Sequence, residues 1–188
     1  GLEHTLLEKV IERTENVQLL DIQYRMNEVI MGFSNQQFYC NELKAHESVK
    51  NETLALSEPK PLQFIDTAGC GFEEKQNEES LSLYNPEEAT IVKNNLEALL
   101  NENPSLNIGV ISPYKAQVLY LKEYLGEEFL SSYDVTVNTI DSFQGQEKDL
   151  IYISMVRSND NKEIGFLKDT RRMNVAMTRA KKKLIIVG

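Results

Sequence analysis

A polar turn built around a glycine leads into an apolar run at residues 141–156, which read DSFQGQEKDLIYISMV. Ser142, and Thr139 just before the turn, carry hydroxyl groups that suit phosphate oxygens. Gly145 allows the backbone to turn tightly, and Glu147 adds a carboxylate that suits a ribose hydroxyl. The pattern fits a contact with a nucleotide or a phosphate group, and it fits an ordinary solvated turn equally well.

Another candidate contact is the QYRM stretch, in which Gln23, Tyr24 and Arg25 follow an apolar run and precede a helical pattern. An arginine at such a turn can bind phosphate oxygens through paired hydrogen bonds. The alternative is that Arg25 pairs with a surface carboxylate while Tyr24 covers an apolar edge. The helix that follows is expected to direct three apolar residues into the core: Val29, Ile30 and Phe33.

Two further arginines, Arg172 and Arg179, lie seven residues apart in the stretch DTRRMNVAMTRAKKK. On a helix that begins near Asp169 they would point almost the same way, beside an apolar stripe. Two guanidinium groups on one face suit a polyphosphate, whereas a solvated basic face is the alternative. The residues expected in the apolar stripe are Met173, Ala176, Met177 and Ala180.

The stretch IGVISPYKAQ delivers Ser112 and Tyr114 from an apolar run to the start of a helical pattern. The free backbone N–H groups and the dipole of a helix N-terminus favour an anion such as phosphate. Ordinary helix capping by the serine is the alternative interpretation.

The charge of the chain is uneven. The 188 residues carry a formal net charge of -9, yet residues 162–183 hold eight basic and two acidic side chains, a local +6 that leaves -15 elsewhere. This balance excludes indiscriminate binding of nucleic acid by the whole surface. No apolar run is long enough to span a membrane, and no signal peptide is visible, so we expect an intracellular, cytoplasmic protein, or a nuclear one in a eukaryote. Cys40 and Cys70 lack the spacing of metal ligands, and no metal site is expected.

The elements that must position these residues alternate between strand and helix in the second half of the chain. Apolar runs that read as strands covered on both faces occur at 17–20, 62–66, 107–112, 134–140, 149–156 and 183–188. Helical patterns with Asn85 as N-cap and with Gly126 as terminator lie between them. This order predicts a three-layer α/β domain with a mainly parallel sheet and ligands at the carboxyl ends of its strands. Polar segments at 40–61 and 69–85 are interpreted as surface insertions.

Four motifs, QYRM, IGVISPYKAQ, VNTIDSFQGQEKD and RRMNVAMTRAKKKLIIVG, together resemble the C-terminal RecA-like domain of superfamily 1 helicases. The resembling branch includes the RNA helicase of nonsense-mediated decay and the immunoglobulin mu-binding helicase. The resemblance covers residues 17–188, which leaves 1–16 as a helix or linker from a preceding domain. It implies a RecA-like fold of the P-loop NTPase type.

The resemblance also implies roles for the residues above. Arg25 and Arg179 correspond to arginine fingers that stabilise charge on the γ-phosphoryl group of ATP. The residues that resemble nucleotide contacts are Gln23, Tyr24, Gly145 and Glu147. Arg172 is also expected to contact the nucleotide, because it is predicted to lie on the same helical face as Arg179. The residues that would face single-stranded DNA or RNA are Ser112, Tyr114, Thr139 and Ser142.

One departure from a complete motor concerns the phosphate cradle. The sequence contains no GxxxxGK[ST] loop and no strand ending in an acidic pair for magnesium. The resemblance places both, and most of the ATP and Mg²⁺ contacts, on a first RecA-like domain of the same protein. We therefore expect a C-terminal fragment that does not hydrolyse ATP alone. A RecA-like module that binds nucleic acid or a partner without catalysis is the alternative, whereas an unrelated α/β interaction domain would need four coincidental motifs.

Overall fold

The structure is a computed structural model that describes residues 21–143, 145–157 and 168–188. The segment 1–16 and the strand predicted at 17–20 lie outside these residues. The strands in chain order are β1 Ile22–Gln23, β2 Lys44–Ala45, β3 Leu62–Ile65, β4 Lys75–Gln76, β5 Leu83–Tyr84, β6 Ile108–Ser112, β7 Val135–Thr139, β8 Lys148–Ser154 and β9 Ala180–Val187. The helices are α1 Glu28–Phe38, α2 Pro86–Glu102, α3 Lys115–Leu125, α4 Glu127–Ser132 and α5 Thr170–Met177, and a 3-10 turn lies at Asp141–Phe143.

A five-stranded parallel sheet with the order β3-β9-β8-β6-β7 forms the centre of the described chain. Every residue of β6 is buried, as are the last five residues of β8. Strands buried on both faces need apolar residues on both sides, which is why these two read as continuous apolar runs. The mainly parallel sheet is confirmed.

Two apolar clusters cover the two faces of this sheet. On one face, α2 and α3 pack against alternate strand residues such as Val110, Tyr152 and Ile185. On the other face, α1 and α5 pack against the intervening residues, such as Ile111 and Ile153. Strand side chains alternate between faces, so the arrangement is the three-layer α/β fold that the sequence predicted.

The predicted helix boundaries follow from capping. The Asn85 side chain accepts a hydrogen bond from the backbone N–H of Glu88 (2.9 Å), and Pro86 occupies the first helical position of α2. Gly126 ends α3 with a φ of 82°, a conformation that favours glycine. Both predictions are confirmed.

The interpretation of β3 as a strand covered on both faces is wrong. Among the described residues, β3 is an edge strand that pairs only with β9, and the side chains of Leu62 and Phe64 are exposed. The expectation that Val29 enters the core is also wrong, since 53% of that residue is exposed in the first turn of α1. Ile30 is buried as predicted, together with the adjacent Met31.

The last helix is shorter, and the last strand longer, than the sequence predicted. α5 ends at Met177 with Thr178 as C-cap, so Arg179 lies beyond the helix. Ala180, which we expected on the helix, is the first residue of β9. The predicted geometry of two arginines on one helical face is therefore wrong.

The two polar segments hold more structure than surface loops. Segment 40–61 contains β2, and 69–85 contains the antiparallel pair of β4 and β5. The first segment is fixed to the sheet by buried Lys183, whose Nζ donates to the carbonyl oxygens of Glu58 (2.8 Å) and Lys60 (2.7 Å). Within the part of the chain described, no helix has the length and apolar character to cross a membrane.

Candidate functional site

A cleft of about 710 Å³ opens where the turn after β1, helix α1, the start of β8 and the junction of α5 with β9 meet. Five of the residues predicted to contact ATP line this cleft: Gln23, Tyr24, Arg25, Glu147 and Arg179. They come from three separate parts of the sequence. The fold therefore brings together both candidate arginine fingers and three candidate nucleotide contacts.

The Gln23 side chain holds the turn that presents Tyr24 and Arg25. Its Oε1 accepts hydrogen bonds from the backbone N–H groups of Arg25 (2.8 Å) and Met26 (2.7 Å). Its Nε2 donates to the carbonyl oxygen of Met26 (2.8 Å). Because the amide is engaged in this way, Gln23 sets the backbone of the turn, and its contact with a nucleotide stays a prediction.

Arg25 forms an ion pair with Glu147, with 2.8 Å between Nε and Oε2. Both side chains are about half exposed, and Nη1 of Arg25 also lies 3.5 Å from the carbonyl oxygen of Thr178. The pairing of Arg25 with a carboxylate, which the sequence left as the alternative, is thus present. The carboxylate belongs to Glu147, which is itself expected to contact the ribose of the nucleotide.

Two backbone carbonyl groups hold the guanidinium of Arg179 in place. Its Nε donates to the carbonyl oxygen of Val175 (3.2 Å), and its Nη1 donates to that of Gln146 (3.3 Å). Burial and the nearby guanidinium of Arg25 lower the pKa of Arg179, whereas the carboxylate of Glu147 opposes this change. The two guanidinium groups are therefore close enough to repel one another.

The cleft is positive in an acidic chain. Its charged lining residues are Arg25, Arg179 and Lys181 against Glu147, a local net charge of +2 in a protein of -9. Nζ of Lys181 lies 3.7 Å from a carboxylate oxygen of Asp149, which is not a lining residue. A concave site with excess guanidinium charge suits a polyanion.

The same cleft has features that suit a planar heterocycle. The side chain of Tyr24 is prominent, with 64% of the residue exposed. The Oδ1 atom of Asn174 is buried and accepts no hydrogen bond from any residue that the structure describes. The lining therefore fits the phosphate groups of a nucleotide and also offers the ring of Tyr24 as an aromatic surface for its base.

Arg172 and Gly145 are not among the residues that line this cleft. Arg172 forms an ion pair with Asp141, which lies in the 3-10 turn. Its contact with a nucleotide stays a prediction. Gly145 has a φ of 80°, as expected for a glycine needed in a tight turn, and its contact with phosphate stays a prediction.

The residues predicted to face nucleic acid gather at the carboxyl ends of β6 and β7. Ser112 and Thr139 are partners in the parallel register, and the hydroxyls of Thr139 and Ser142 lie 3.2 Å apart. Ser112 is fully buried, and its hydroxyl accepts a hydrogen bond from the backbone N–H of Tyr114 (3.3 Å). Ser112 therefore does not cap α3, whose N-cap is Tyr114 with no side-chain capping bond, and its contact with nucleic acid stays a prediction. The hydroxyl pair of Thr139 and Ser142 is exposed.

Tyr114 lines a second cleft, of about 490 Å³, beside the β4–β5 hairpin. Ser82 from that hairpin accepts a hydrogen bond from the backbone N–H of Ala116 (3.1 Å), in the first turn of α3. Arg157, another lining residue, pairs with Glu74 (3.3 Å). The hairpin therefore occupies part of the helix N-terminus that the sequence offered to an anion.

A buried polar network lies behind this edge, around the carboxyl group of Glu88. Its Oε1 accepts hydrogen bonds from the Ser154 hydroxyl and from the backbone N–H of Val156 (3.0 Å). Burial raises the pKa of Glu88 to about 7, although these hydrogen bonds oppose the rise. Gln117 joins the network by donating to the Ser154 hydroxyl (2.9 Å). The network connects α2, α3 and the end of β8.

A magnesium ion finds no ligand set in the described part of the chain, where no three His, Cys, Asp or Glu side chains are grouped to hold a metal. The carboxylate in the cleft, Glu147, is already paired with Arg25. We therefore derive no catalytic step through a metal on this chain.

Comparison with known proteins identifies the family. The sequence profile of an AAA domain family matches residues 2–188. The chain belongs to this family. DNA polymerase alpha-associated DNA helicase A of Saccharomyces cerevisiae is 42% identical over 207 aligned positions, which cover all of this chain and 30% of that protein. An uncharacterized ATP-dependent helicase of Methanocaldococcus jannaschii is 45% identical over 202 positions, which cover all of this chain and 29% of that protein.

The helicase domain also resembles a solved structure, that of the C-terminal domain of a possible DNA helicase from Lactobacillus plantarum. The TM-score is 0.51 at 14% identity, and the match covers 88% of this chain and 87% of that one, which shows the shared fold. Together these matches confirm a C-terminal RecA-like domain of a superfamily 1 helicase, in the branch that the four motifs indicated. The chain spans about 30% of the length of the two relatives described above.

Three residues of the helicase domain that belong to the cleft or contact its lining escaped the sequence analysis: His46, Asn174 and Lys181. Asn174 and Lys181 lie inside the motif RRMNVAMTRAKKKLIIVG, and the arginines of that motif were the polar residues to which a role was given. His46 stacks on Tyr24 from a segment that we interpreted as an uninformative insertion. Only the pairing of β1 with β2 brings it there, and no local sequence signal reports that pairing.

Proposed function

We propose that this chain is the C-terminal motor domain of an ATP-dependent superfamily 1 helicase that acts on single-stranded DNA or RNA. In this proposal, ATP and Mg²⁺ are held mainly by a first RecA-like domain of the same protein, and the cleft of this chain closes on the nucleotide. The observation that carries the proposal is the juxtaposition of Arg25 and Arg179 in one positively charged cleft. The names of the relatives, which include an ATP-dependent helicase, support it.

The two arginines act as the charge-stabilising groups of ATP hydrolysis. As the γ-phosphoryl group transfers, negative charge accumulates on its oxygens and on the bridging oxygen. Guanidinium groups that are already fixed near this charge stabilise the transition state without having to reorganise. The hydrogen bonds of Arg179 to two carbonyl oxygens provide that fixation.

The remaining cleft residues bind and orient the nucleotide. Tyr24 offers its ring to the base, and Glu147 accepts a hydrogen bond from a ribose hydroxyl. The left-handed backbone at Gly145 lets the main chain approach a phosphate group. Because Glu147 is the partner of Arg25, nucleotide binding at the ribose and release of the Arg25 guanidinium depend on the same carboxylate.

Nucleic acid binds at the carboxyl edge of β6 and β7 in this proposal. The exposed hydroxyls of Thr139 and Ser142 contact backbone phosphates, and Tyr114 contributes from the start of α3. Ser142 and Glu147 belong to the same turn, so strand contacts and nucleotide contacts share one piece of backbone. We also propose an intracellular location, which fractionation of the source cells would test.

The deciding experiment measures nucleic-acid-stimulated ATPase turnover of the full-length protein, wild type against Arg179→Ala. Loss of an arginine finger is expected to lower turnover by about 10³-fold or more. Binding of a fluorescent ATP analogue, followed in parallel, is expected to change little.

Arg171→Ala serves as the matched control, since Arg171 is exposed and does not line the cleft. It is expected to retain wild-type turnover. Thermal unfolding of both variants guards against a loss of structure, because Arg179 also makes hydrogen bonds within the domain. Unchanged turnover in Arg179→Ala would remove this residue from catalysis and support a non-catalytic binding module.

A further inference from the structure

Tyr24 and His46 form a stacked aromatic pair at the edge of the cleft. Their ring centroids are 4.3 Å apart, and the ring planes are inclined by 27°. Parallel pairing of β1 with β2 aligns Gln23 with Ala45, and the backbone N–H of His46 donates to the carbonyl oxygen of Gln23 (2.9 Å). The stack therefore follows from main-chain register and is not a chance contact of two surface side chains.

The orientation of the His46 ring is fixed by its own turn. The backbone N–H of Ser48 donates to Nδ1 of His46 (3.2 Å), and the Ser48 hydroxyl lies 2.8 Å from the same atom. A donating N–H at Nδ1 requires that this nitrogen accept, so it favours the tautomer with the proton on Nε2. The imidazole is thus held in place independently of Tyr24.

Tyr24 has one ring face against His46 and remains largely exposed, and it lines the cleft together with Arg25 and Arg179. A ring supported on one face can receive a third planar group only on the other face. Fixing the tyrosine before a ligand arrives removes part of the ordering entropy that binding would otherwise cost. Offset stacking of aromatic groups adds affinity beyond the area that is buried.

We infer that His46 is a positioning residue that holds the Tyr24 ring as a preformed platform for the base of the nucleotide. This inference rests on the proposed function and extends it to a segment to which the sequence analysis gave no role. His46 acts through Tyr24 and does not touch the phosphate groups. Its effect is therefore confined to ligands that carry a base.

The experiment uses the full-length protein with saturating single-stranded nucleic acid. It compares wild type, His46→Ala, His46→Phe, Tyr24→Ala and the double variant His46→Ala/Tyr24→Ala. The readouts are KM and kcat for ATP, the affinity for a fluorescent ATP analogue, and the inhibition constant of inorganic tripolyphosphate, which carries no base.

For His46→Ala we expect KM for ATP to rise about 3- to 10-fold, the effect of losing one aromatic pair, with kcat within about twofold of wild type. His46→Phe, which keeps a stacking ring, is expected to restore KM. The inhibition constant of tripolyphosphate should not change in either variant. In the Tyr24→Ala background, His46→Ala should have no additional effect, because the two residues act as one unit.

If Tyr24→Ala raises KM and His46→Ala does not, the positioning role is overturned and the proposed nucleotide site stands. If neither variant changes KM, the base does not bind at Tyr24, and both the inference and that part of the proposed function fail. A parallel loss of tripolyphosphate inhibition in His46→Ala would show that the whole cleft is distorted, which also overturns the positioning role.

Discussion

Arg179 lies immediately after the C-cap of α5, and this place determines where its guanidinium can reach. The backbone N–H of Thr178 donates to Asn174 and that of Arg179 donates to Ala176 (3.3 Å), which tightens the last turn before β9 begins. A continuous helix would have directed Arg179 along the same face as Arg172. The early stop directs it into the cleft beside Arg25 instead. The chemistry at this position thus depends on where a helix ends.

At the same scale, Glu88 makes stability depend on pH. Its pKa is raised from 4.5 to about 7, so the folded state holds this proton more tightly than the unfolded state. The stabilisation that Glu88 contributes is fully present below pH 4.5 and is lost as pH rises through 7. We expect this group to lower the free energy of unfolding by up to about 3 kcal/mol across that range.

The side chain of Glu88→Gln cannot ionise, so this variant should not lose free energy of unfolding at this site as pH rises. Chemical denaturation between pH 5 and 8 should therefore show the variant gaining stability relative to wild type as pH rises. Glu87→Gln is the matched control, because Glu87 is the exposed neighbour in the same turn of α2. Curves for Glu88→Gln and wild type that stay parallel over the whole range would contradict the assignment.

At the scale of elements, two glycines give opposite expectations. A Cβ at Gly109 in β6 would lie 2.7 Å from Cδ1 of Ile151 and 2.8 Å from a ring carbon of Phe143. Gly109→Ala should therefore lower the free energy of unfolding by about 1–3 kcal/mol, because the core cannot accept the methyl group without moving.

Gly32→Ala is the matched control, since a Cβ at Gly32 in α1 meets nothing within 4 Å. Removing a glycine from a helix interior should raise the free energy of unfolding by about 0.5–1 kcal/mol. Urea unfolding of both variants tests the pair. Equal effects of the two substitutions would show that the close approach of β6 to its neighbours is not a constraint.

The sequence predicted the elements best where the cause is local. Continuous apolar runs located β6 and β8, and capping residues located the start of α2 and the end of α3. The edge position of β3 was not predictable in this way, because strand order is set by long-range pairing. The same limit applies to β2, whose partner β1 lies on the other side of α1 in the sequence.

The same distinction between local signals and long-range pairing applies to the candidate site. Residues within recognisable motifs, such as Arg25, Glu147 and Arg179, were predicted and meet in the cleft. The expectation that Arg172 and Arg179 share one helical face was wrong because it assumed an uninterrupted helix, whereas Arg179 follows the C-cap of α5. His46 was missed because its contact with Tyr24 exists only through the register of β1 and β2.

For the whole molecule, we predict that the 188-residue chain does not hydrolyse ATP by itself. It offers guanidinium groups but no Walker A loop to hold the β- and γ-phosphates. A steady-state assay with and without single-stranded nucleic acid should show release of phosphate at the level of buffer. The full-length protein under the same conditions is the positive control. If nucleic acid stimulated ATP hydrolysis by the 188-residue chain above the level of buffer, the proposed division of catalytic groups between two domains would be contradicted.

The ion pair of Arg25 with Glu147 has a consequence for how the cleft distinguishes one anion from another. The guanidinium already holds an anion, and an ion pair that is half exposed is worth only about 0–1 kcal/mol. A phosphate that binds Arg25 through Nε must displace this carboxylate, so its measured affinity is the difference between the binding free energies of the two anions. Added salt weakens both contacts, and the exchange should therefore depend less on ionic strength than the charge of the cleft suggests. The domain thus discriminates by competition, and a weakly bound anion such as free phosphate gains little over the carboxylate that is already there.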